Sequence, residues 1–106
     1  MKEIKAYIRE AMVDQVIDAI GKLPGPPGVT VLPVQAYGHR PGAPTLEPTR
    51  MAKLEVDVAD DAFDQVVDTI LENARTQGGH PGDGKVYVKE LAGAYRISDG
   101  EQVMNG

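Results

Sequence analysis

An α+β fold made of two tandem βαβ halves is what the sequence predicts, on three observations. Each half opens on strand-like alternation: Ile4, Ala6 and Ile8 face one way and Lys5, Tyr7 and Arg9 the other, and Met51 to Val58 reads as a second such strand. Each then switches to helical spacing, with Val13, Val16, Ile17 and Ile20 opposite Asp14, Gln15, Asp18 and Lys22 in the first half, and Phe63, Val66, Val67, Ile70 and Leu71 in the second. Finally, Asp14-Gln15-Val16-Ile17-Asp18-Ala19-Ile20 recurs fifty residues later as Asp64-Gln65-Val66-Val67-Asp68-Thr69-Ile70, each copy followed by a Gly-rich turn and another strand.

Two βαβ halves in tandem are the ferredoxin-like plan, a four-stranded antiparallel sheet backed by two helices on one face. The first strand runs from Lys2 to Arg9 and the first helix from Met12 to Leu23, where Pro24, Pro26 and Pro27 forbid continuation. A strand follows from Thr30 to Ala36, and Pro33 within it demands an edge or a bulge. Tyr37 to Arg50, broken by Gly38, Pro41, Gly42, Pro44 and Pro48, has no period and reads as a mobile finger without secondary structure, exposing Leu46 and Met51 as anchors. The second helix is capped by Asp60 or Asp61 and ends at Ala74. Residues 77–85 form a loop into the strand Lys85 to Glu90, and a polar tail covers 98–106. The second sheet face reads as half-apolar at Tyr7, Leu32, Leu54 and Tyr87, so sheets are expected to meet across subunits in a closed homo-oligomer.

Composition bounds the function. A chain of 106 residues is one domain, 1–106, with room for a single core. Its net charge of -5 and the lack of any Lys/Arg stripe argue against a nucleic-acid surface. With no cysteine, disulfides and thiolate metal sites are excluded. The start lacks a signal-peptide h-region and no run is long enough to insert in a membrane, so the expected location is cytoplasmic.

The stretch richest in chemistry is Gly82-Asp83-Gly84-Lys85 at the mouth of the last strand. Two glycines and a lysine give a small anion close-approaching amides and a positive charge, a phosphate cradle. The same residues also read as a plain hairpin turn. His39 and His80, the two histidines, are an alternative pair of metal ligands but lack a ligand spacing. Asp14, Asp18, Asp64 and Asp68 lie on solvated helix faces, and no histidine stands in a nucleophile motif, so no enzyme is expected.

With these residues in place the chain resembles the PII nitrogen-regulatory signalling family. Ala74-Arg75-Thr76, then Gly82-Asp83-Gly84-Lys85-Val86-Tyr87-Val88, then Ala94-Tyr95-Arg96-Ile97 ahead of Gly100-Glu101 carry the likeness, with Gly28-Val29-Thr30-Val31 and Tyr37-Gly38 at the second strand and the base of the family's T-loop. The resemblance implies a homotrimer that binds an adenine nucleotide (ADP, ATP or AMP) in the clefts between subunits. It places Gly82, Asp83, Gly84, Lys85 and Arg96 at the phosphates and Thr30, Gly38, Glu55, Val56 and Asp57 at the adenosine, and pairs Glu55 with Lys85. It further implies a regulator that controls a target protein, a transporter or a metabolic enzyme, through Tyr37 to Arg50. The alternative within the same fold is a metal-binding or metal-tolerance trimer.

The chain also departs from the family. Ser98 stands where a second arginine is often found, and the link from Thr76 to Lys85 is two residues longer than usual. Gly38-His39-Arg40 replaces Gly-Arg-Gln, and Met51 replaces a lysine. These positions serve magnesium, ATP and 2-oxoglutarate in typical members, so magnesium and a second metabolite stay open. No tyrosine lies between Gly38 and Val86, so the finger offers no site for tyrosine uridylylation. The resemblance is to a divergent member with a different partner or metabolite.

Overall fold

The computed structural model describes residues 1–39 and 41–103; Arg40 of the expected finger and residues 104–106 of the expected tail lie outside the described residues. Four strands, β1 (Lys2–Arg9), β2 (Val29–His39), β3 (Leu46–Val58) and β4 (Gly84–Glu90), form one sheet in the order β2-β3-β1-β4 with every neighbouring pair antiparallel. Helices α1 (Val13–Gly21) and α2 (Phe63–Ala74) cover one face. This is the expected ferredoxin-like arrangement, and Pro33 lies on an edge strand as its missing N–H requires.

The inner face is set by alternation. Ile4, Ala6 and Ile8 of β1 and Ala52, Leu54, Val56 and Val58 of β3 meet Val16 and Ile20 of α1 and Val66, Ile70 and Ala74 of α2. Leu54, expected on the second face, is fully buried here, because it lies directly opposite Ala6 and shares that residue's side of the pleat. No polar side chain is buried among the described residues. Truncating any of the fully buried isoleucines to Ala should cost about 2–5 kcal/mol.

Neither helix has a side-chain N-cap. The cap position of α2 is Ala62, and Asp60, expected to cap it, instead accepts the N-terminal ammonium at 2.7 Å and stands 3.7 Å from Lys2 Nζ. Two cations near this carboxylate outbid the helix amides and lower its pKa, the N-terminal hydrogen bond being the main cause. The helices are joined by the Gln15 amide, which donates to the Asn73 carbonyl at 3.0 Å.

The irregular finger is corrected by the structure. Strand pairing continues through Tyr37↔Pro48, Gly38↔Glu47 and His39↔Leu46, so β2 and β3 extend as a two-stranded ribbon beyond Arg9↔Met51, where β1 ends. Thirteen residues of β3 span about 44 Å at ~3.4 Å each, which accounts for most of the 52 Å long axis. Leu46 is exposed on the ribbon, whereas Met51, expected as a second anchor, is buried at 7% exposure.

Candidate functional site

The loop between α2 and β4 is built around one carboxylate. Asp83 accepts hydrogen bonds from Thr76 Oγ1 (2.6 Å), Thr76 N (3.1 Å), His80 N (2.9 Å) and Arg9 Nε (3.0 Å). A carboxylate has about four acceptor positions, so its capacity is filled by its own chain. Its pKa falls far below the usual carboxylate range, first because of the Thr76 hydroxyl and then the His80 amide, with Arg9 adding to both. The Asp83 side chain therefore shapes the loop. It has no donor to offer a phosphate, and His80, placed by the same network, holds its Nδ1 2.8 Å from Thr76 Oγ1.

The two glycines of the bend serve different neighbours. Gly84 has φ 110, and a Cβ there would overlap the Tyr7 carbonyl oxygen where β4 comes against β1. At Gly82 a Cβ would stand 2.8 Å from Arg9 Nη2, so the guanidinium lies across the face of that residue. Gly38 differs from both: a Cβ there would meet nothing among the described residues, so no close approach among them calls for a glycine.

On the outer sheet face, Lys85 and Lys53 stand opposite Tyr7 on either side, and Arg9 is two residues further along the same strand. Tyr7 meets Tyr87 edge-on, with ring centroids 6.2 Å apart. Lys85 is exposed and makes no ion pair among the described residues. Glu55 is 3.7 Å from Lys53 Nζ, and no pair with Lys85 forms within the chain.

The residues expected at the adenosine gather elsewhere. Thr30, opposite Glu55 in register, joins Glu55, Asp57 and Glu3 in a hollow of about 900 Å³ walled by the proline-rich turn at residues 23–28 and by Ala94 and Tyr95. Burial, with Glu3 and Glu55 alongside, pushes the Asp57 carboxyl up. The Val56 side chain points into the core, since it alternates with Glu55 and Asp57, so only its backbone reaches this face. Lys85 lies three strand spacings from Thr30, about 14 Å across the sheet, and with Asp83 and Gly84 it lines a separate hollow of about 420 Å³.

Arg96 lines neither hollow. It sits in a small tail loop closed by the Tyr95↔Gln102 bridge, with Nη2 3.1 Å from Asp99. Gly38 lies on the ribbon, eight residues beyond Thr30. Of the alternative metal ligands, His39 is paired in the ribbon and His80 in the loop network. No group of three or more His, Cys, Asp or Glu able to hold a metal exists among the described residues, and nothing supports the metal reading. Sequence reasoning gave Arg9 no role and used Thr76 only for the likeness it carries; what the two do locally shows only in their contacts with Asp83.

No helix among the described residues is long and apolar enough to cross a membrane. The sequence pattern of the family described as "Nitrogen regulatory protein P-II" matches residues 1–101. The chain is 36% identical to the Nitrogen regulatory protein P-II of Klebsiella oxytoca and to Nitrogen regulatory protein P-II 1 of Escherichia coli K12, and 34% identical to the P-II protein of Haemophilus influenzae, each time over 96% of both chains. That family is named for regulation and not for a reaction. A ferredoxin-like sheet with a long β2–β3 ribbon and a glycine bend carrying Lys85, matched along nearly its whole length, belongs to the PII nitrogen-regulatory family.

Proposed function

We propose that this protein is a PII-type signalling trimer. It binds an adenine nucleotide between subunits and uses the β2–β3 ribbon, Tyr37 to Arg50, to control a target protein such as a transporter or a metabolic enzyme. The observation that carries this reading is that the candidate site is divided. The bend with Lys85 and the hollow with Thr30, Glu55 and Asp57 are separate on one chain, each hollow bordered on one side by α2, and the sheet face opposite the helices is covered by no helix. A face bearing Leu32 and Tyr87 at 39% and 45% exposure suits contact with further copies, which would bring one chain's bend to another's hollow and tail.

In this reading Lys85 and the backbone of Gly82, Asp83 and Gly84 hold the phosphates, and Arg96 of a neighbouring copy exchanges Asp99 for them. Thr30, Glu55, Asp57 and the Val56 backbone line the adenosine side. Gly38 leaves space for the ligand or for the ribbon to fold toward it. Nucleotide then shifts the ribbon between states for which it has different affinities, as any such control requires. Magnesium and a second metabolite are open ligands of the same site.

Calorimetric titration with AMP, ADP and ATP, with mass measurement in solution, tests the proposal. Nucleotide binding by a trimer is expected. A monomer, or a trimer that binds none of the three, would overturn it.

A further inference from the structure

We infer that Arg9, at the end of β1, is a direct ligand for the phosphate groups beyond the first of the bound nucleotide, forming with Lys85 a two-cation clamp contributed by a single chain. The inference rests on the nucleotide reading above and names a residue which that reading does not use.

The argument starts from the guanidinium. Arg9 has five N–H donors, and Asp83 takes only the Nε one, at 3.0 Å. The four Nη hydrogens have no acceptor among the described residues, and the side chain is 38% exposed. This terminal fork lies over Gly82, with Nη2 2.8 Å, Cζ 3.4 Å and Nη1 3.6 Å from the position of a Cβ. The space a side chain at Gly82 would take is thus filled by the Arg9 fork, and Arg9 presents its donors at the surface of the bend.

Register supplies the second half. Tyr7 pairs with Lys85 and Ile8 with Gly84, so Arg9 is the diagonal neighbour of Lys85 on the outer face. Diagonal Cβ atoms are separated by about 7–8 Å, a distance that long side chains close around neighbouring phosphates. The chain has a net charge of -5, yet Lys5, Lys53, Lys85 and Arg9 all surround Tyr7 on this face. Asp83 does not cancel the arginine's usefulness: it fixes the guanidinium at Nε and leaves the planar fork free for bidentate contact with phosphate oxygens.

The test must separate contact from bracing. Wild type, Arg9→Ala and Arg9→Lys are titrated calorimetrically with AMP, ADP, ATP and sodium tripolyphosphate, and the melting temperature of each is recorded without ligand. For Arg9→Ala the affinity for ATP and tripolyphosphate is expected to fall about tenfold or more, as for loss of a charged hydrogen bond, with AMP affected less than about threefold and Arg9→Lys in between. If Arg9→Ala does not fold, Arg9→Lys carries the comparison, and its loss must still grow with phosphate number.

An equal loss for AMP, ADP and ATP would mean that Arg9 only braces the loop, and would overturn the inference while the nucleotide reading stands. Wild type that binds tripolyphosphate in an Arg9-dependent way, but no nucleotide better than tripolyphosphate, would keep the inference for a polyphosphate and overturn the nucleotide reading. Wild type that binds none of the four would overturn both.

Discussion

The Tyr7 carbonyl oxygen occupies the space into which a side chain on Gly84 would have to grow. Gly84 has φ 110, a region that non-glycine residues reach only with strain. The obstacle is backbone in the middle of β1, which no rotamer change can move.

Gly84→Ala is therefore expected to destabilise the fold by more than about 3 kcal/mol, combining backbone strain with overlap. Gly82→Ala meets only the tip of the Arg9 side chain, which can shift by a few tenths of an ångström without backbone movement, and should cost about 1 kcal/mol. Urea unfolding of the two variants compares them directly. Equal stability would show that β4 does not approach β1 as described.

Lys85 is exposed and makes no ion pair among the described residues, so Lys85→Ala should leave the melting temperature within about 2 °C of wild type, as for an ordinary surface change. Affinity for ATP should drop by about tenfold to a hundredfold, the scale of a charged hydrogen bond. Undiminished affinity in calorimetry would remove Lys85 from the site.

The depressed pKa of Asp83 sets an acid limit. A carboxyl whose folded value lies below its unfolded one stabilises the fold above the unfolded value, near pH 4, and loses that contribution as pH falls through the folded value. Melting temperature should decline below about pH 4 in wild type and less steeply in Asp83→Asn, which has lost the contribution already. Parallel curves would contradict the network.

Asp57 works in the opposite direction. Its carboxyl is pushed up by burial, Glu3 and Glu55, so the charged form opposes folding at neutral pH and protonation relieves it as pH falls. Lys5 and Lys89 also stand nearby, opposite Glu55 and Glu3 in register. Asp57→Asn should raise the melting temperature at pH 7, with the gain shrinking below the carboxylate range. A lower melting temperature at pH 7 would contradict the repulsion.

Both helices and most of the inner face were legible because periods of 3.6 and 2 are written directly into residues such as Val16, Ile20, Ile4 and Ile8; Leu54 was assigned to the wrong face because its side is fixed by register with Ala6. The ribbon was not, since Pro48 and Gly38 look like breakers. Pro48 lies beyond Met51, where β3 has lost its β1 neighbour and has become an edge, so its missing N–H leaves no ladder bond unmade on that side. Glycine and lysine signalled the bend itself. The role of Asp83 was hidden because its partners Thr76 and Arg9 are 7 and 74 residues away in sequence, and only folding reveals which donors a carboxylate will meet.

Because Asp83 is saturated by its own chain, the bend takes its shape when the domain folds and does not wait for a guest. A ligand of the kind proposed would meet a bend already in shape, as a key meets a cut lock, so little of the cost of ordering that bend would fall on the binding step. It also separates two kinds of evolutionary change: the cations on the rim can be exchanged to suit a new anion while the frame beneath them keeps its form.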